Sequence, residues 1–403
     1  MYRLKPFVLI TSADFVVRSA YQVGKTPLLP IFAATLGATD VMLGLIVSVS
    51  TITGMVLKPF FGILSDRWGR RVWLLIGTGF FTVMPFVYLL VRTPEELFSV
   101  RVVHGIATAI YGPVTLAYVV ELSPVNRAER IGWFTTARNA GYVIGPLAAG
   151  VMLLTITPQA AFTIVGLVSS IAFIPVLLLP EQVPNKGRQS IPIIRQTLDS
   201  LTAGAKTTAV WIAGGMNASI LLGEYVLRAF LPLHVLGMGS NAAMAGLYFA
   251  VQEGVHLAGS PLGGRLSDRI GYVPTIAAGI SLMGVALPLV AMTESAAFLF
   301  PPAVMIGLAQ ALVFPAATAL VAKGVPDKNI GGSLGLVGTL KNAAKVTGPI
   351  VGGVSIHLFG LVVTLGLLGT ILLITAGVVI ALRQKIDSSR QANQVLETAT
   401  IPQ

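Results

Sequence analysis

The most extended pattern in this chain is apolar. Residues 139–180 and 346–382 contain no Asp, Glu, Lys or Arg over 42 and 37 positions, and about 20 apolar residues suffice for one membrane-spanning helix. Each run is interrupted near its middle, by Thr157 and Pro158 in the first and by Gly360 in the second, which predicts two helices joined by a turn. Lipid-facing β-strands would instead alternate apolar and polar residues. The pattern therefore predicts an all-α integral membrane protein.

The same pattern continues along the rest of the chain and predicts twelve transmembrane helices. They lie near 7–33, 41–61, 72–91, 97–120, 132–155, 159–180, 208–233, 242–263, 273–293, 296–322, 332–356 and 360–382. A polar stretch separates the first six from the last six. The predicted organisation is an N-terminal six-helix half at 1–180, a cytoplasmic linker at 181–207, a C-terminal six-helix half at 208–383 and a cytoplasmic tail at 384–403.

The basic residues of the predicted loops lie almost entirely on one side of the membrane. Those on this side are Arg3, Lys5, Arg67, Arg70, Arg71, Arg127, Arg130, Lys186, Arg188, Arg195, Lys206, Arg265, Arg269, Lys323, Lys328, Arg383, Lys385 and Arg390. The opposite side has Arg92. Because loops rich in Lys and Arg remain cytoplasmic, we expect a multi-pass protein of the cell (inner) membrane with both termini in the cytoplasm. The net charge of +11 then reflects topology, and nucleic-acid binding is not expected.

Composition supports the membrane assignment and excludes several kinds of site. Charged residues make up 11% of the chain, against about 25% in soluble domains. There is no cysteine, which excludes disulfides, thiolate metal sites and thiol catalysis. The four histidines stand in different segments without metal-ligand spacing. We therefore predict no metal, no cofactor and no enzymatic activity, and no pattern favours an oligomer over a monomer.

Two motifs occur twice at nearly the same separation. The sequence GILSDRWGRR at 62–71 returns as GRLSDRIGYV at 264–273, an offset of 202 residues. The sequence TTARNAGYVIGPLAAG at 135–150 returns as GTLKNAAKVTGPIVGG at 338–353, an offset of 203 residues. A repeat of this length, carrying six spans in each copy, is typical of transporters built from two parallel halves.

The first motif resembles the loop between the second and third spans of the major facilitator superfamily, and the whole chain resembles its twelve-span drug:proton antiporters. The matching residues are Gly62, Asp66, Arg67, Gly69, Arg70 and Arg71. The resemblance implies a cytoplasmic gate, in which Asp66 pairs with a neighbouring arginine and with the N-terminal end of the eleventh span. The second copy keeps Asp268 and Arg269 but has Tyr272 and Val273 in place of the basic pair, which predicts a weaker latch. Arginines that only enforce topology are the alternative.

A second motif lies in the fourth predicted span. Arg101, Gly105, Ala109 and Pro113 follow one another at intervals of four residues, which places them on one face of a helix. Arg101 resembles the arginine that is proposed to assist proton transfer in the family. A snorkelling arginine at the membrane interface is the alternative.

A third motif lies in the fifth span and is close to the pattern of the antiporters. Its residues, with those of the copy in the eleventh span, are Gly141, Gly145, Pro146, Gly150, Gly348 and Pro349. Proline removes a backbone hydrogen bond and bends a helix, while glycine allows close packing. The first copy has Ala149 where the family pattern has glycine. Ordinary kinked packing is the alternative.

Charged residues also occur within the predicted spans, where each costs about 2.5–3.5 kcal/mol and marks a path for substrate or ions. Asp14 and Arg18 are four residues apart, as are Glu224 and Arg228, so each pair shares a helical face. With Glu253, the carboxylates Asp14 and Glu224 are the candidate proton carriers. Ion pairs that serve packing alone are the alternative.

By analogy with the family, the first, fourth, seventh and tenth spans line a central aqueous cavity. The candidate residues of this cavity are Arg18, Tyr21, Gln22, Tyr111, Arg138, Asn217, Tyr225, Arg228, Gln310, Phe314, Lys341 and Lys345. Eight basic residues lie in or near the spans, against three acidic ones. Such a cavity favours anionic or zwitterionic substrates.

Three functions follow as hypotheses. The first is a secondary active transporter that works by alternating access and exports small amphiphilic, drug-like molecules in exchange for protons. The second is an organic-anion or phosphate-ester transporter, for which Arg138, Lys341 and Lys345 are the natural ligands. The third, from another class, is a membrane scaffold or sensor that transports nothing. Small-molecule substrate, protons and the lipid bilayer are the predicted partners.

Overall fold

The computed structural model describes residues 4–122, 127–180, 202, 204–325 and 330–381, and these are helical almost throughout. The helices are α1 (Leu4–Lys25), α2 (Leu28–Thr35), α3 (Asp40–Trp68), α4 (Arg70–Val87), α5 (Pro94–Leu122), α6 (Arg127–Met152), α7 (Pro158–Ser170), α8 (Phe173–Leu177), α9 (Thr208–Gly237), α10 (Ala242–Ile270), α11 (Tyr272–Met292), α12 (Phe300–Gly324) and α13 (Ile330–Ala381), with 3-10 turns at Tyr88–Leu90 and Ala296–Leu299. The predicted all-α class is confirmed. The predicted linker and tail lie almost wholly outside the described residues.

Two breaks occur where the sequence predicts them, near 157 and 360, whereas those at 26–27 and 171–172 interrupt the predicted spans 7–33 and 159–180. Thr157 caps α7, accepting a hydrogen bond from the backbone N–H of Ala160, with Pro158 in the first turn. Gly360 takes a φ of 77° and interrupts α13, a backbone conformation that glycine adopts at little cost. The helix of 52 residues would be roughly 78 Å long if straight, more than twice the thickness of a bilayer core, so a bend at this position is required for it to remain in the membrane.

Repeated sequence positions take the same local structure. Thr39 and Asn241 are 202 residues apart, and each caps the following helix by accepting a hydrogen bond from the backbone N–H three residues on. Gly69 and Gly271 show the same offset, and both have positive φ, 88° and 98°, between consecutive helices. The repeat detected in the sequence thus extends to the backbone.

Within the part of the chain that the structure describes, eight helical stretches are long and apolar enough to cross a membrane. The helices α1, α6 and α10 are not among them, and each carries a charged residue near its middle: Asp14, Arg138 and Glu253. These charges lower the mean hydropathy of helices that otherwise have the length of a span. All three helices contribute to the buried charge clusters of the molecule, together with α9, which holds Glu224 and Arg228.

Two helix crossings join the N-terminal and C-terminal helices. Helix α3 packs on α13 and α6 packs on α10. Gly44 of α3 lies directly against the carbonyl oxygen of Pro349, and Gly246 of α10 lies against that of Pro146, so that a Cβ at either glycine would overlap the oxygen. Gly150 and Gly353 meet the backbone of the same opposing helices one turn further on. The Pro and Gly residues of the third motif therefore form close contacts between helices, as small residues do in membranes.

The other glycines of this motif pack against helices of their own half of the chain, N-terminal or C-terminal. Gly141 and Gly145 lie against the backbone of α1 at Ser19 and Gln22, and Gly348 lies against the backbone of α9 at Leu222. The helices α6 and α13 continue through Pro146 and Pro349 without interruption. The packing interpretation of the motif thus has direct structural support, and its connection with antiport remains a prediction.

Candidate substrate and proton-coupling site

The charged residues predicted within spans assemble into two clusters, one in the N-terminal helices and one in the C-terminal helices. Each of the two intrahelical pairs, Asp14 with Arg18 and Glu224 with Arg228, is present. Each pair also has a partner from another helix, which spacing along one helix could not predict.

In the N-terminal cluster, one carboxylate is shared by two guanidinium groups. Asp14 is only 1% exposed. Arg138 of α6 binds it in a bidentate manner, with Nε and one terminal nitrogen 2.8 and 2.9 Å from the two carboxylate oxygens. That terminal nitrogen also donates to the hydroxyl of Thr115 at 2.9 Å. Arg18 is more distant, with Nε 3.7 Å from the carboxylate. Arg138 is therefore the principal partner of Asp14.

In the C-terminal cluster, one guanidinium is shared by two carboxylates. Arg228 donates from Nε to Glu224 at 2.6 Å and from a terminal nitrogen to Glu253 of α10. The second oxygen of Glu253 lies 3.1 Å from Nδ1 of His256. The second oxygen of Glu224 accepts a hydrogen bond of 2.6 Å from the side chain of Gln310 in α12. All four carboxylate oxygens of this cluster thus have partners.

Three lysines near these clusters contact aromatic rings. Nζ of Lys25 lies 4.9 Å from the ring centre of Tyr225, and Nζ of Lys345 lies 5.5 Å from the same centre. Nζ of Lys341 lies 4.6 Å from the ring centre of Phe314. Within the described ranges, none of the three has a carboxylate oxygen within 4.0 Å. These lysines, from α1 and α13, supply positive charge that no described carboxylate pairs with.

Not every candidate cavity residue joins this arrangement. Tyr111 is fully buried in the interior of the N-terminal helices, with its ring centre 5.6 Å from that of Phe81. The side-chain nitrogen of Asn217 bonds to the backbone carbonyl of Ala213 within its own helix. Gln22 is buried where α1 meets α6. These three residues contact neighbouring residues of their own half of the chain, and their predicted place in a cavity stays a prediction.

Sequence reasoning also missed contributors. Tyr142 of α6 lies near Arg228, with its ring centre 6.0 Å from the guanidinium carbon. The third motif, which contains Tyr142, predicts only close packing and a helix bend. Lys25 is absent from the predicted cavity residues, yet it is buried between the aromatic rings of Tyr21 and Tyr225. Lys25 follows Tyr21 by one helical turn, on the face of Asp14 and Arg18. This spacing was the signal that could have identified it.

Arg101 lies apart from both clusters. It is 1% exposed, so the alternative of a snorkelling arginine does not fit. Its guanidinium donates to Ser50 at 2.5 Å, to the hydroxyl of Tyr88 at 3.5 Å and to the carbonyl of Ile46 at 3.5 Å. No carboxylate of the described residues pairs with it. Its predicted part in proton transfer has no direct carboxylate contact to support it.

The first gate motif forms an ion network at the end of α3. Arg70 donates to Asp66 at 2.6 Å and to Glu121 of α5 at 2.9 and 2.6 Å. Arg71 donates to the carbonyl of Leu177. The predicted pairing of Asp66 with an arginine is thus present. Among the described residues, Asp66 makes no hydrogen bond or ion pair with α13, and residues 326–329 lie outside the described ranges.

The second gate motif has a different linkage. The hydroxyl of Tyr272 donates to Asp268 at 3.4 Å, in place of the ion pair that Arg70 makes in the first copy. Arg67 and Arg269 are exposed. The replacement of the basic pair in this copy therefore changes the contact that Asp268 makes, and the weaker latch stays a prediction.

Comparison with known proteins identifies the relatives of this chain. The sequence profile of the Major Facilitator Superfamily matches residues 20–251 and 210–401. An uncharacterized MFS-type transporter of Methanocaldococcus jannaschii is 26% identical over 340 residues, 83% of this chain and 87% of the relative. The quinolone resistance protein NorA of Staphylococcus aureus is 25% identical over 225 residues, 56% of this chain and about half (53%) of the relative.

Solved structures share the fold at low sequence identity. A bacterial homologue of the human lysosomal transporter Spinster has a TM-score of 0.79 at 15% identity, with 96% of this chain and 98% of that chain covered. The nucleoside transporter NupG has the same TM-score and identity, with 93% and 98% covered. These matches concern the fold.

Proposed function

Because the chain belongs to the Major Facilitator Superfamily, we propose that it is a secondary active transporter that exports small amphiphilic molecules by alternating access, in exchange for protons. It would do so as a monomer in the cell membrane, with both termini in the cytoplasm. The proposed architecture has twelve spans in two six-helix halves. Helix α1 with α2 corresponds to the first predicted span, α7 with α8 to the sixth, and the two arms of α13 to the eleventh and twelfth. The repeated caps at Thr39 and Asn241 support this layout.

The observation that supports proton coupling is the number of acidic and basic groups in the C-terminal cluster. Two carboxylates and one guanidinium have a net charge of −1 when His256 is neutral, and a single proton makes the cluster neutral. Net charge buried in a membrane is costly, so this cluster gains electrostatically from binding one proton. The N-terminal cluster already has a net charge of +1, and a proton on Asp14 would raise it to +2. Glu224 and Glu253 are therefore the proposed proton carriers, and Asp14 is a structural anchor.

Substrate chemistry follows from the lysines and aromatic rings. Lys25, Lys341 and Lys345 supply positive charge beside Tyr225 and Phe314. An amphiphile with an aromatic or aliphatic body and an anionic group, whether an anion or a zwitterion, matches both features. The name of the Staphylococcus aureus relative, a quinolone resistance protein, supports export of drug-like molecules.

The second candidate is an organic-anion or phosphate-ester transporter. Lys341 and Lys345 stand one helical turn apart and favour it, because two ammonium groups can bind one anionic group. Arg138 does not, because Asp14 occupies its guanidinium fork. The scaffold alternative gains no support from the geometry, since a scaffold has no need for two buried charge clusters.

Transport in proteoliposomes tests the proposal. The purified protein is reconstituted with a pH-sensitive dye inside the vesicles, and an anionic naphthalene sulfonate, a cationic phenanthridinium dye and a phosphate ester are added separately. We expect the sulfonate to provoke proton flux in the wild type, and Glu224→Gln and Glu253→Gln to abolish it. Glu95→Gln is the matched control, because Glu95 is exposed at the start of α5.

Each other outcome has a definite meaning. Uptake or release of the sulfonate without proton flux would refute coupling while retaining transport. Flux with the phenanthridinium dye alone would refute the anionic substrate class, and flux with the phosphate ester alone would favour the second candidate. Full flux in both Glu variants would exclude the C-terminal cluster as the proton site.

A further inference from the structure

A small cavity lies inside the N-terminal helices, separate from the two charge clusters. It is enclosed by α1, α4, α5 and α7. The residues of its lining that matter here are Tyr21, Phe81, Tyr88, Arg101, His104 and Phe162. The cavity is small, with room for a species about the size of one water molecule.

The charge of this cavity is unbalanced. Arg101 is 1% exposed, and its described partners are Ser50, the carbonyl of Ile46 and the phenols of Tyr88 and Tyr21, with no carboxylate among them. Buried guanidinium groups are normally paired with an anion, because a charge removed from water without a counter-charge is strongly penalised. A second basic residue lies on the far side of Tyr21, with Nζ of Lys25 6.0 Å from its ring centre.

A second polar group in the cavity lacks a partner. His104 is 5% exposed, and its Nδ1 lies 2.9 Å from the hydroxyl of Tyr88. Its Nε2 is buried and has no hydrogen-bond partner among the described residues. When the hydroxyl of Tyr88 donates to Nδ1, the neutral ring carries its proton on Nε2. That N–H is then a buried donor without an acceptor, which is itself unfavourable.

We propose that this cavity binds a single halide ion, chloride under ordinary conditions. The ion would accept a hydrogen bond from Nε2 of His104 and balance the charge of Arg101, so that it satisfies the unpaired donor and the uncompensated cation together. A polyatomic anion exceeds the available space. The rings of Phe81 and Phe162 supply an apolar wall, which suits a weakly hydrated monovalent ion better than a strongly hydrated one.

The position of the site connects it with the rest of the molecule. Tyr21 lines the cavity, and its hydroxyl lies 3.5 Å from Ser50, which also accepts from Arg101. The ring of Tyr21 faces Lys25, which contacts Tyr225 in the C-terminal helices. A halide held here would therefore stabilise the packing of α1 on α4, α5 and α7. The proposal does not depend on the identity of the transported substrate.

Thermal unfolding of the full chain in detergent tests the site. Unfolding is monitored by the intrinsic fluorescence of the four tryptophans of the chain. Sodium chloride, bromide, iodide and gluconate are compared at constant ionic strength. A ligand that binds only the folded state raises the melting temperature in a saturable manner. We expect stabilisation by chloride and bromide over gluconate, and less by iodide, which is too large. Weak binding of anions to exposed surfaces would give the opposite order, with iodide strongest.

Variants localise the effect. Arg101→Gln should weaken apparent chloride affinity about tenfold or more, because it removes the cation that the ion balances. His104→Phe keeps an aromatic ring of similar size and should weaken the affinity through loss of the Nε2 donor. Arg269→Gln is the control, because this arginine is exposed and distant in sequence, and it should keep the wild-type response.

If Arg101→Gln does not fold, His104→Phe serves as the test variant. Equilibrium binding of radioactive chloride gives a measurement that is independent of thermal unfolding. Equal melting temperatures in chloride and gluconate would overturn the proposal, and would indicate a water molecule or a phenolate at Tyr21 as the balance for Arg101. A chloride response that survives both substitutions would place the ion elsewhere and overturn it as well. Loss of proton flux in the transport assay has no bearing on either result.

Discussion

The two charge clusters have opposite compositions. In the N-terminal helices, two guanidinium groups share one carboxylate, and in the C-terminal helices two carboxylates share one guanidinium. The intrahelical pairs lie in α1 and α9, which correspond in the sequence repeat, but their partners do not. Arg138 belongs to α6, whose counterpart is the first arm of α13, and Glu253 belongs to α10, whose counterpart is α3. The two copies have therefore kept similar helices while their buried charges differ in sign and in position. We propose that only the C-terminal cluster binds a proton.

The largest expected effect is on stability, from removal of Arg228. In Arg228→Met, Glu224 and Glu253 would be left as neighbouring buried carboxylates, and breaking a buried ion pair costs about 3–5 kcal/mol. We expect a correspondingly reduced free energy of unfolding, measured by chemical denaturation in detergent. Adding Glu253→Gln should recover part of the loss, because it removes one of the two like charges. No recovery in the double variant would contradict the shared-guanidinium arrangement.

The N-terminal cluster should respond differently to its two arginines. Arg138→Met should destabilise the protein by about 3 kcal/mol, since Arg138 binds Asp14 in a bidentate manner. Arg18→Met should cost about 1 kcal/mol or less, because its Nε is 3.7 Å from the carboxylate and the side chain is partly exposed. Thermal unfolding of the two variants side by side measures the difference. Equal losses would mean that both arginines hold Asp14 alike.

A smaller effect concerns the unpaired lysines. Lys345→Met should weaken binding of an amphiphilic sulfonate about tenfold, which is the loss of one charge-assisted contact of about 1.4 kcal/mol. Binding of a neutral amphiphile of similar size should change little. Fluorescence titration measures both, with the exposed Lys206→Met as the control. Weakening of both ligands alike would indicate a packing defect instead of a charge effect.

The smallest expected effect on stability lies in the gate motifs. Arg70→Gln removes two contacts with carboxylates that are 44% and 37% exposed, so we expect a loss of about 1 kcal/mol or less. Tyr272→Phe removes one long hydrogen bond and should cost less still. Transport rates should nevertheless fall in Arg70→Gln, because Arg70, the first residue of α4, links Asp66 of α3 to Glu121 of α5. Free energies of unfolding and initial transport rates, measured together, separate the effect on stability from the effect on gating. An unchanged transport rate in Arg70→Gln would contradict a role of Arg70 in gating.

The sequence predicts much of this architecture because its signals are local. Apolar runs, turn residues such as Pro158 and Gly360, and pairs four residues apart can all be recognised along one segment. The partner that Arg138 provides for Asp14 is 124 residues away, and no single-chain periodicity indicates it. The burial of Arg101 was hidden for the same reason, since its distance from the helix end does not reveal which neighbours cover it. The charge inversion emerges only when helices are placed together.

The crossings at Gly44 and Gly246 also bear on how such a chain could arise. Gly44 meets Pro349 and Gly246 meets Pro146, so each contact is the other one with the two copies exchanged. That reciprocity is the property of an isologous homodimer, in which one patch binds itself across a two-fold axis. An ancestral single copy could have made both contacts with an identical partner. Fusion into one chain keeps that symmetric seam while it frees the two copies to acquire different residues, and this is the condition under which opposite charge clusters can evolve.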